Sequence, residues 1–234
     1  LPIQAPVTPV SPSGCPTPAV ITRAIRERIG FDLTVVDAGL ARPTGAPTVS
    51  VGAHPGRDIR EQDPVPTAPE AFMKAREFGQ SLPDDRIIIG ETIPGGTTTA
   101  LAVCRALGVD APISSSLPTN PLGLKQEVAQ KALSTADINP GQAAHNPKQA
   151  VRTVGDPVLA VAAGVTAGAV ESGTDVILGG GTQLLTVAAL VRHAGVSDQA
   201  TLATTSYLDA DVTGLNEIAT ILNLELIITD PGFD

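Results

Sequence analysis

Two apolar rhythms alternate along this chain: short unbroken runs, and longer stretches in which apolar positions recur every three or four residues. The runs at Arg86–Ile89, DVIL (175–178), TLATTSY (201–207) and LELIITD (224–230) read as strands, as do LTVVDAGL (33–40) and TVSVG (48–52). Helical spacing follows Thr17-Pro18, where Val20, Ile21, Ile25 and Ile29 share a face. It recurs over 69–82 around Ala71, Phe72, Ala75 and Phe78, and from about Thr98 to Leu107. Residues 124–133 place Leu124, Val128 and Leu133 along one side. Asp156 and Pro157 open a further helix in which Ala160, Gly164 and Gly168 recur every fourth residue, a spacing that lets another element approach closely. Helices are also predicted over Leu184–His193 and about 211–222.

Strands that are mostly apolar throughout, alternating with helices, predict an α/β fold. The expected form is a mainly parallel sheet flanked by helices, Rossmann-like and three-layered, with helical additions. Residues 1–30, a proline-rich stretch and a helix, are expected to stand apart from an α/β nucleotide-binding domain over 31–234. The chain starts at Leu1 and stops just after a strand-like run, so both natural ends are expected to be missing.

Composition narrows the function classes. Aromatics make up only 2% of the 234 residues and the formal net charge is −9, so neither the basic footprint nor the stacking surface of a nucleic-acid binder is present. Cys15 and Cys104 form no CxxC, and Cys104 falls in an apolar helical pattern as an inert buried thiol. No apolar run reaches the length of a membrane span and no secretory signal is visible, so a cytoplasmic protein is expected. His54, His145 and His193 show no metal-ligand spacing; His193, near a helix end, is expected to complement the helix dipole. No metal and no cofactor is expected.

Two stretches share one design: RIIIGETIPGGTTTALAV and DVILGGGTQLLTVAAL. Each runs from a buried strand through glycines and threonine into a helix. Such a turn exposes backbone N–H groups at a helix N-terminus, where an anion is favoured, and glycine permits close approach. Both loops would lie at the carboxyl edge of the sheet, where α/β folds bind ligands. Neither is a P-loop, since Thr97 follows Gly96 where lysine is required, and Gly90, Gly95 and Gly96 lack the GxGxxG spacing. Either loop alone reads equally as a tight strand-to-helix turn. A third polar loop, SSSLPTNP (114–121), adds weight to a phosphate or phosphoribosyl site. Lys125, just beyond it, reads either as the cation for that phosphate or as a solvated surface lysine. Glu91 could bind ribose hydroxyls or act on a proton, or be an ordinary turn residue. Asp156 reads as an N-cap, Asp175 as a turn residue, and Asp37 as a weaker site candidate.

With GETIPGGTTTALAVCRALG, SSSLPTNPLGLKQEVAQKAL, VGDPVLAVAAGVTAGA and VILGGGTQLLTVAALV together, the chain resembles the nicotinate-nucleotide–dimethylbenzimidazole phosphoribosyltransferases. It is most similar to their divergent archaeal and cyanobacterial-type branch, over roughly residues 30–234. The resemblance implies transfer of phosphoribose from nicotinate mononucleotide to 5,6-dimethylbenzimidazole or a related base, in assembly of the lower ligand of cobalamin. It implies a homodimer. It makes Glu91 the glutamate of the family's GE motif, beside the base. Gly90, Gly95, Gly96, Thr97 and Thr98 would line the nucleotide pocket, with Ser115 and Lys125 towards the phosphate. Gly155 matches a glycine before the long Ala/Gly helix, and Gly179, Gly180, Gly181 and Thr182 would form a second phosphate-facing loop. The family's proton-accepting glutamate lies in a C-terminal GEGSGA-like segment without a match here, and IPGG replaces its usual G-N pair. The alternative is a non-catalytic mononucleotide-binding or regulatory protein of the same fold. A dinucleotide-dependent oxidoreductase is disfavoured by the missing fingerprint.

Overall fold

In the computed structural model, residues 17–115 and 119–232 are described, together with Val10 and Gly14. They fall into two compact units: one runs to Asp37 and takes in Arg42–Val49, the other comprises Ala38–Ala41 and the chain from Ser50 onward.

The first unit holds helix α1 (Ala19–Ile29), which starts one residue later than the Thr17 cap predicts. Its apolar face of Val20, Ile21, Ile25 and Ile29 is present but exposed. The runs predicted as strands at 33–40 and 48–52 shrink to a two-stranded ladder of β1 (Val36–Asp37) and β2 (Val49–Ser50).

The second unit carries α2 (Ala68–Gln80), β3 (Arg86–Ile89), α3 (Gly96–Leu107), α4 (Leu122–Thr135), α5 (Pro147–Val154) and α6 (Pro157–Glu171). After these come β4 (Asp175–Gly179), α7 (Thr182–His193), β5 (Ala200–Thr205), α8 (Ser206–Asp211), α9 (Leu215–Ile221) and β6 (Leu224–Thr229). Strands β3-β4-β5-β6 lie side by side in that order and every pairing is parallel, giving the expected α/β architecture. Val176, Leu178, Leu202 and Leu224 point into the core, while Ile88 on the other face is 72% exposed.

The small residues of α6 do what their spacing predicts. A Cβ on Gly164 would come within 2.4 Å of the Phe72 carbonyl oxygen and one on Gly168 within 2.0 Å of that of Arg76, so α2 lies directly on α6. Helix α6 begins under an Asp156 N-cap, whose Oδ1 accepts the Leu159 N–H at 2.9 Å.

The register aligns Ile89 with Leu178, and Gly179 with Ala203. The loops leaving β3 and β4 therefore emerge next to each other at the carboxyl edge, and a Cβ on Gly90 would be 3.9 Å from the Gly179 carbonyl oxygen. Cys104 is buried, as expected, and its thiol is pushed up to about 11 by that burial. His193 departs from expectation. Its Nδ1 accepts the His145 N–H at 3.1 Å, and burial, with His145 nearby, lowers its pKa below the usual histidine range. It acts as a neutral acceptor rather than as a cation at the helix end.

Candidate functional site

Helices α3 and α7 both start at glycine, Gly95 in the left-handed region (φ 75°) and Gly181, and neither start is capped by a side chain. No side chain caps the first-turn N–H groups at either start, as an anion site requires. Thr97 and Thr98 stand part-buried in the first turn of α3, where the Thr98 N–H donates to the Gly95 carbonyl at 2.8 Å.

The second loop is tied down from both sides. Its Gly180 N–H donates to the Ala203 carbonyl of β5 at 2.9 Å. Thr182 Oγ1 accepts the Ser114 N–H at 3.3 Å and shares a 3.0 Å hydrogen bond with the Ser114 hydroxyl. A Cβ on Gly181 would meet Leu208 at 3.0 Å and the Ser114 hydroxyl at 3.6 Å, so glycine keeps this corner open. Ser115 is part-buried, and the rest of that loop, 116–118, lies outside the described residues.

Lys125 completes this half of the site. It is 5% exposed, on the face of α4 that also buries Ala129, Ala132 and Leu133, and its Nζ donates to the Ser114 carbonyl at 2.7 Å. The surface reading of this lysine is thereby excluded. Among the described residues no carboxylate pairs with it. Burial lowers its pKa from the usual lysine value. Among the described residues this buried ammonium is held by the Ser114 carbonyl, and Ser114 in turn is hydrogen-bonded to Thr182 at the uncapped start of α7.

The other half is acidic. Glu91, half-buried in the loop after β3, has its carboxyl pushed up to about 7, first by burial and then by the charge of Asp156. Asp156 is only 4% exposed, and burial raises it too, against the pull of Thr99 and of the Leu159 and Val158 N–H groups. Thr99 Oγ1 hydrogen-bonds both the Asp156 Oδ2 and the Gly96 carbonyl, the latter at 2.8 Å. A Cβ on Gly155 would meet Val151 Cα at 2.8 Å and Val103 Cγ2 at 3.0 Å, so glycine permits the close packing just ahead of Asp156. Gly179 likewise abuts Ile88, 3.3 Å from its added Cβ.

Gln183 joins the halves. From the first turn of α7 its carboxamide reaches Gly96 at the first turn of α3, and its buried Nε2 has no hydrogen-bond partner among the described residues. Gln183 and Thr99 lie inside the quoted glycine-rich stretches, yet sequence reasoning did not single them out. A polar residue one or two turns past such a loop was the available signal. No group of three or more His, Cys, Asp or Glu side chains among the described residues is placed to hold a metal ion, and none of their helices is long and apolar enough to cross a membrane.

This geometry can be set beside known proteins. A family model described as phosphoribosyltransferase matches residues 19–232. A UPF0284 protein of Halobacterium salinarum is 55% identical over 99% of this chain, which covers 70% of that relative. A UPF0284 protein of Thermococcus gammatolerans is 40% identical over 90% of this chain and 63% of its own length. Among solved structures, a nicotinate-nucleotide-dimethylbenzimidazole phosphoribosyltransferase from Thermus thermophilus superposes with a TM-score of 0.64 at 19% identity, over 88% of this chain and 63% of that one. CobT from the same organism gives 0.67 at 20% identity, over 89% and 65%. At such identity these two establish the fold, and the chain spans about two thirds of their length. Matched by the family model along nearly its whole length, the chain belongs to the nicotinate-nucleotide–dimethylbenzimidazole phosphoribosyltransferase family.

Proposed function

We propose that this chain holds a mononucleotide phosphate and takes part in phosphoribosyl transfer from nicotinate mononucleotide to 5,6-dimethylbenzimidazole or a related base, in assembly of the lower ligand of cobalamin. The observation that carries this reading is Lys125: buried, without a counter-ion among the described residues, and linked through Ser114 to Thr182 at the α7 start. A phosphate on the α7 amides would neutralise that ammonium where water is scarce, and so restore its ordinary proton affinity. The adjoining α3 start, with Gly95, Gly96, Thr97 and Thr98, is then the place for the ribose and base.

In the transfer, a nitrogen of the acceptor base attacks the ribose C1′ and the C1′–N bond to nicotinate breaks, with its electron pair leaving on the nicotinate nitrogen. The attack leaves the base ring positively charged, and it is neutralised by losing the proton of its other ring nitrogen. Glu91, its carboxyl raised to about 7, is a suitable acceptor. Fixed amide dipoles and the Lys125 charge hold the phosphate end while positive charge develops at the ribose.

The test is incubation of the natural full-length protein with nicotinate mononucleotide and dimethylbenzimidazole, following α-ribazole 5′-phosphate and nicotinate. Product dependent on both Glu91 and Lys125 supports the reading. Tight mononucleotide binding without product would replace it with the non-catalytic alternative.

A further inference from the structure

We infer that Gln183 is a sugar-binding residue, whose Nε2 donates to a ribose hydroxyl of the phosphoribosyl ligand between its phosphate and its base. The starting observation is an unpaired donor. Gln183 is 5% exposed and its Nε2 is fully enclosed. Among the described residues it is the one enclosed side-chain nitrogen or oxygen without a hydrogen-bond partner. Native folds pair such groups, because an unmet buried donor gives up its bonds to water and gains none in return. No acceptor for it is found among the described residues, so the acceptor comes from a molecule that the site takes up.

Position narrows the kind of molecule. Thr182 and Gln183 are successive residues in the first turn of α7, so their side chains leave the helix about 100° apart. Thr182 turns to Ser114, whose carbonyl takes the Lys125 ammonium. Gln183 turns to α3, where a Cβ on Gly96 would lie 2.0 Å from its Oε1 and 2.6 Å from its Nε2. Its carboxamide therefore lies against the first residue of a helix that no side chain caps. A ligand with its phosphate on the Lys125 side and its base at the α3 start carries its sugar between them, past Gln183. Electrostatics favours an uncharged acceptor. Thr99 ties Asp156 to the Gly96 carbonyl, and the Asp156 charge already acts on Glu91, so a second anion at the α3 start would face both carboxyls. A sugar hydroxyl accepts from the amide without adding charge. The inference rests on the phosphate lying at the α7 start, as proposed above, and not on which base is transferred.

Calorimetry on the full-length protein with ribose 5-phosphate and its 2-deoxy and 3-deoxy analogues tests it. Gln183→Met keeps the reach of the side chain and removes the donor. It leaves no enclosed amide unpaired, so it should unfold at no lower temperature than the wild type. Ribose 5-phosphate is expected to bind this variant about 3–10-fold more weakly, the worth of a neutral hydrogen bond. One of the deoxy analogues should bind the wild type more weakly by a similar factor, yet bind the variant as well as ribose 5-phosphate does. A side chain that only spaces the two helices would weaken all three ligands together. If Gln183→Met does not fold, Gln183→Asn, which keeps an amide without its reach, gives the same comparison. Unchanged affinity for ribose 5-phosphate in the variant, a deoxy penalty that survives there, or no binding of ribose 5-phosphate by the wild type overturns the inference. Discrimination that depends on Gln183, without product from nicotinate mononucleotide and dimethylbenzimidazole, upholds the sugar contact and sinks the proposed transfer alone.

Discussion

Gln183 and Gly96 are packed so closely that a Cβ on the glycine would lie 2.0 Å from the glutamine Oε1. This contact joins the first turn of α7 to the first turn of α3, and so sets the spacing of the two amide-rich loops. Gly96→Ala must push the buried carboxamide aside, at an expected cost of about 1–3 kcal/mol. Shortening the intruding side chain should restore most of it, so Gly96→Ala/Gln183→Ala is expected to be more stable than Gly96→Ala alone. Urea unfolding of the two single variants and the double closes the cycle. Additive losses would show that the two residues are not in contact.

Gly168 offers a contrast at the same distance. Its added Cβ would also lie 2.0 Å from an oxygen, but that oxygen is the Arg76 carbonyl of α2. A side-chain end can rotate; a helix backbone cannot without moving the whole helix. Gly168→Ala is therefore expected to lower stability by more than Gly96→Ala, above about 3 kcal/mol. Thermal unfolding of the two variants side by side checks the ranking, and a reversed order would count against the close packing of α2 on α6.

Lys125 sets stability against binding. Among the described residues its buried ammonium is met by the Ser114 carbonyl and by no carboxylate, so the unliganded protein bears part of its desolvation cost. Lys125→Met keeps the aliphatic stem and removes the charge. The variant is expected to unfold at no lower temperature than the wild type when unliganded, yet to lose mononucleotide affinity by about 10–100-fold, the worth of a charged hydrogen bond. Calorimetry with nicotinate mononucleotide measures the second quantity. Full retention of affinity would remove Lys125 from the phosphate site.

The face on which Lys125 lies shows where sequence reading stops. Pattern weighting chose Leu124, Val128 and Leu133, but Leu124 is 61% exposed and the buried set is Lys125, Ala129, Ala132 and Leu133. Alanine and lysine carry little signal in a hydrophobic pattern, and only the approach of α3 and the Ser114 loop decides between the two faces. Helix α5 escaped prediction for a related reason. It is short, with polar residues through most of its first turn, although Asn146 and Pro147 gave a cap and a first-turn proline. The four parallel strands were legible because strands buried in a sheet read as apolar runs. The glycine loops were legible because their composition is itself the constraint. The Asp156–Thr99 pairing was not, since it links residues 57 positions apart through tertiary packing.

Glu91 gives a pH dependence with a definite sign. Its carboxyl is raised to about 7 by burial and by Asp156, so it is protonated below that value and ionised above it. A proton acceptor must be ionised, and turnover is expected to fall as pH drops through about 7, with an acid limb that Glu91→Gln abolishes. Stability runs the opposite way. A carboxyl whose native pKa lies above its unfolded value contributes stability that is full below the unfolded value and lost as pH rises to the native one, so Glu91→Gln should gain on the wild type between about pH 4.5 and about pH 7 and level off above that. Rate–pH and denaturation–pH profiles of the pair measure both trends, and parallel trends would contradict the assignment.

His193 predicts a second, oppositely directed pH effect far from any chemistry. Its Nδ1 accepts the His145 N–H at 3.1 Å, which requires a free lone pair on that nitrogen. Protonation destroys the acceptor, and burial together with His145 holds the native value below the usual histidine range. A histidine with a depressed native pKa contributes stability that is present above its unfolded value of about 6.5 and lost as pH falls through the native value. His145 itself has φ 62°, a left-handed conformation fixed partly by this bond, so acidification should loosen the turn at 140–145 before the sheet. Hydrogen exchange of the His145 amide is expected to accelerate on lowering the pH from about 7 to 5.5, beyond the intrinsic pH trend measured for neighbouring amides. In His193→Leu that amide should exchange fast throughout the range. Equal protection in the variant and the wild type at neutral pH would show that the bond does not hold the turn.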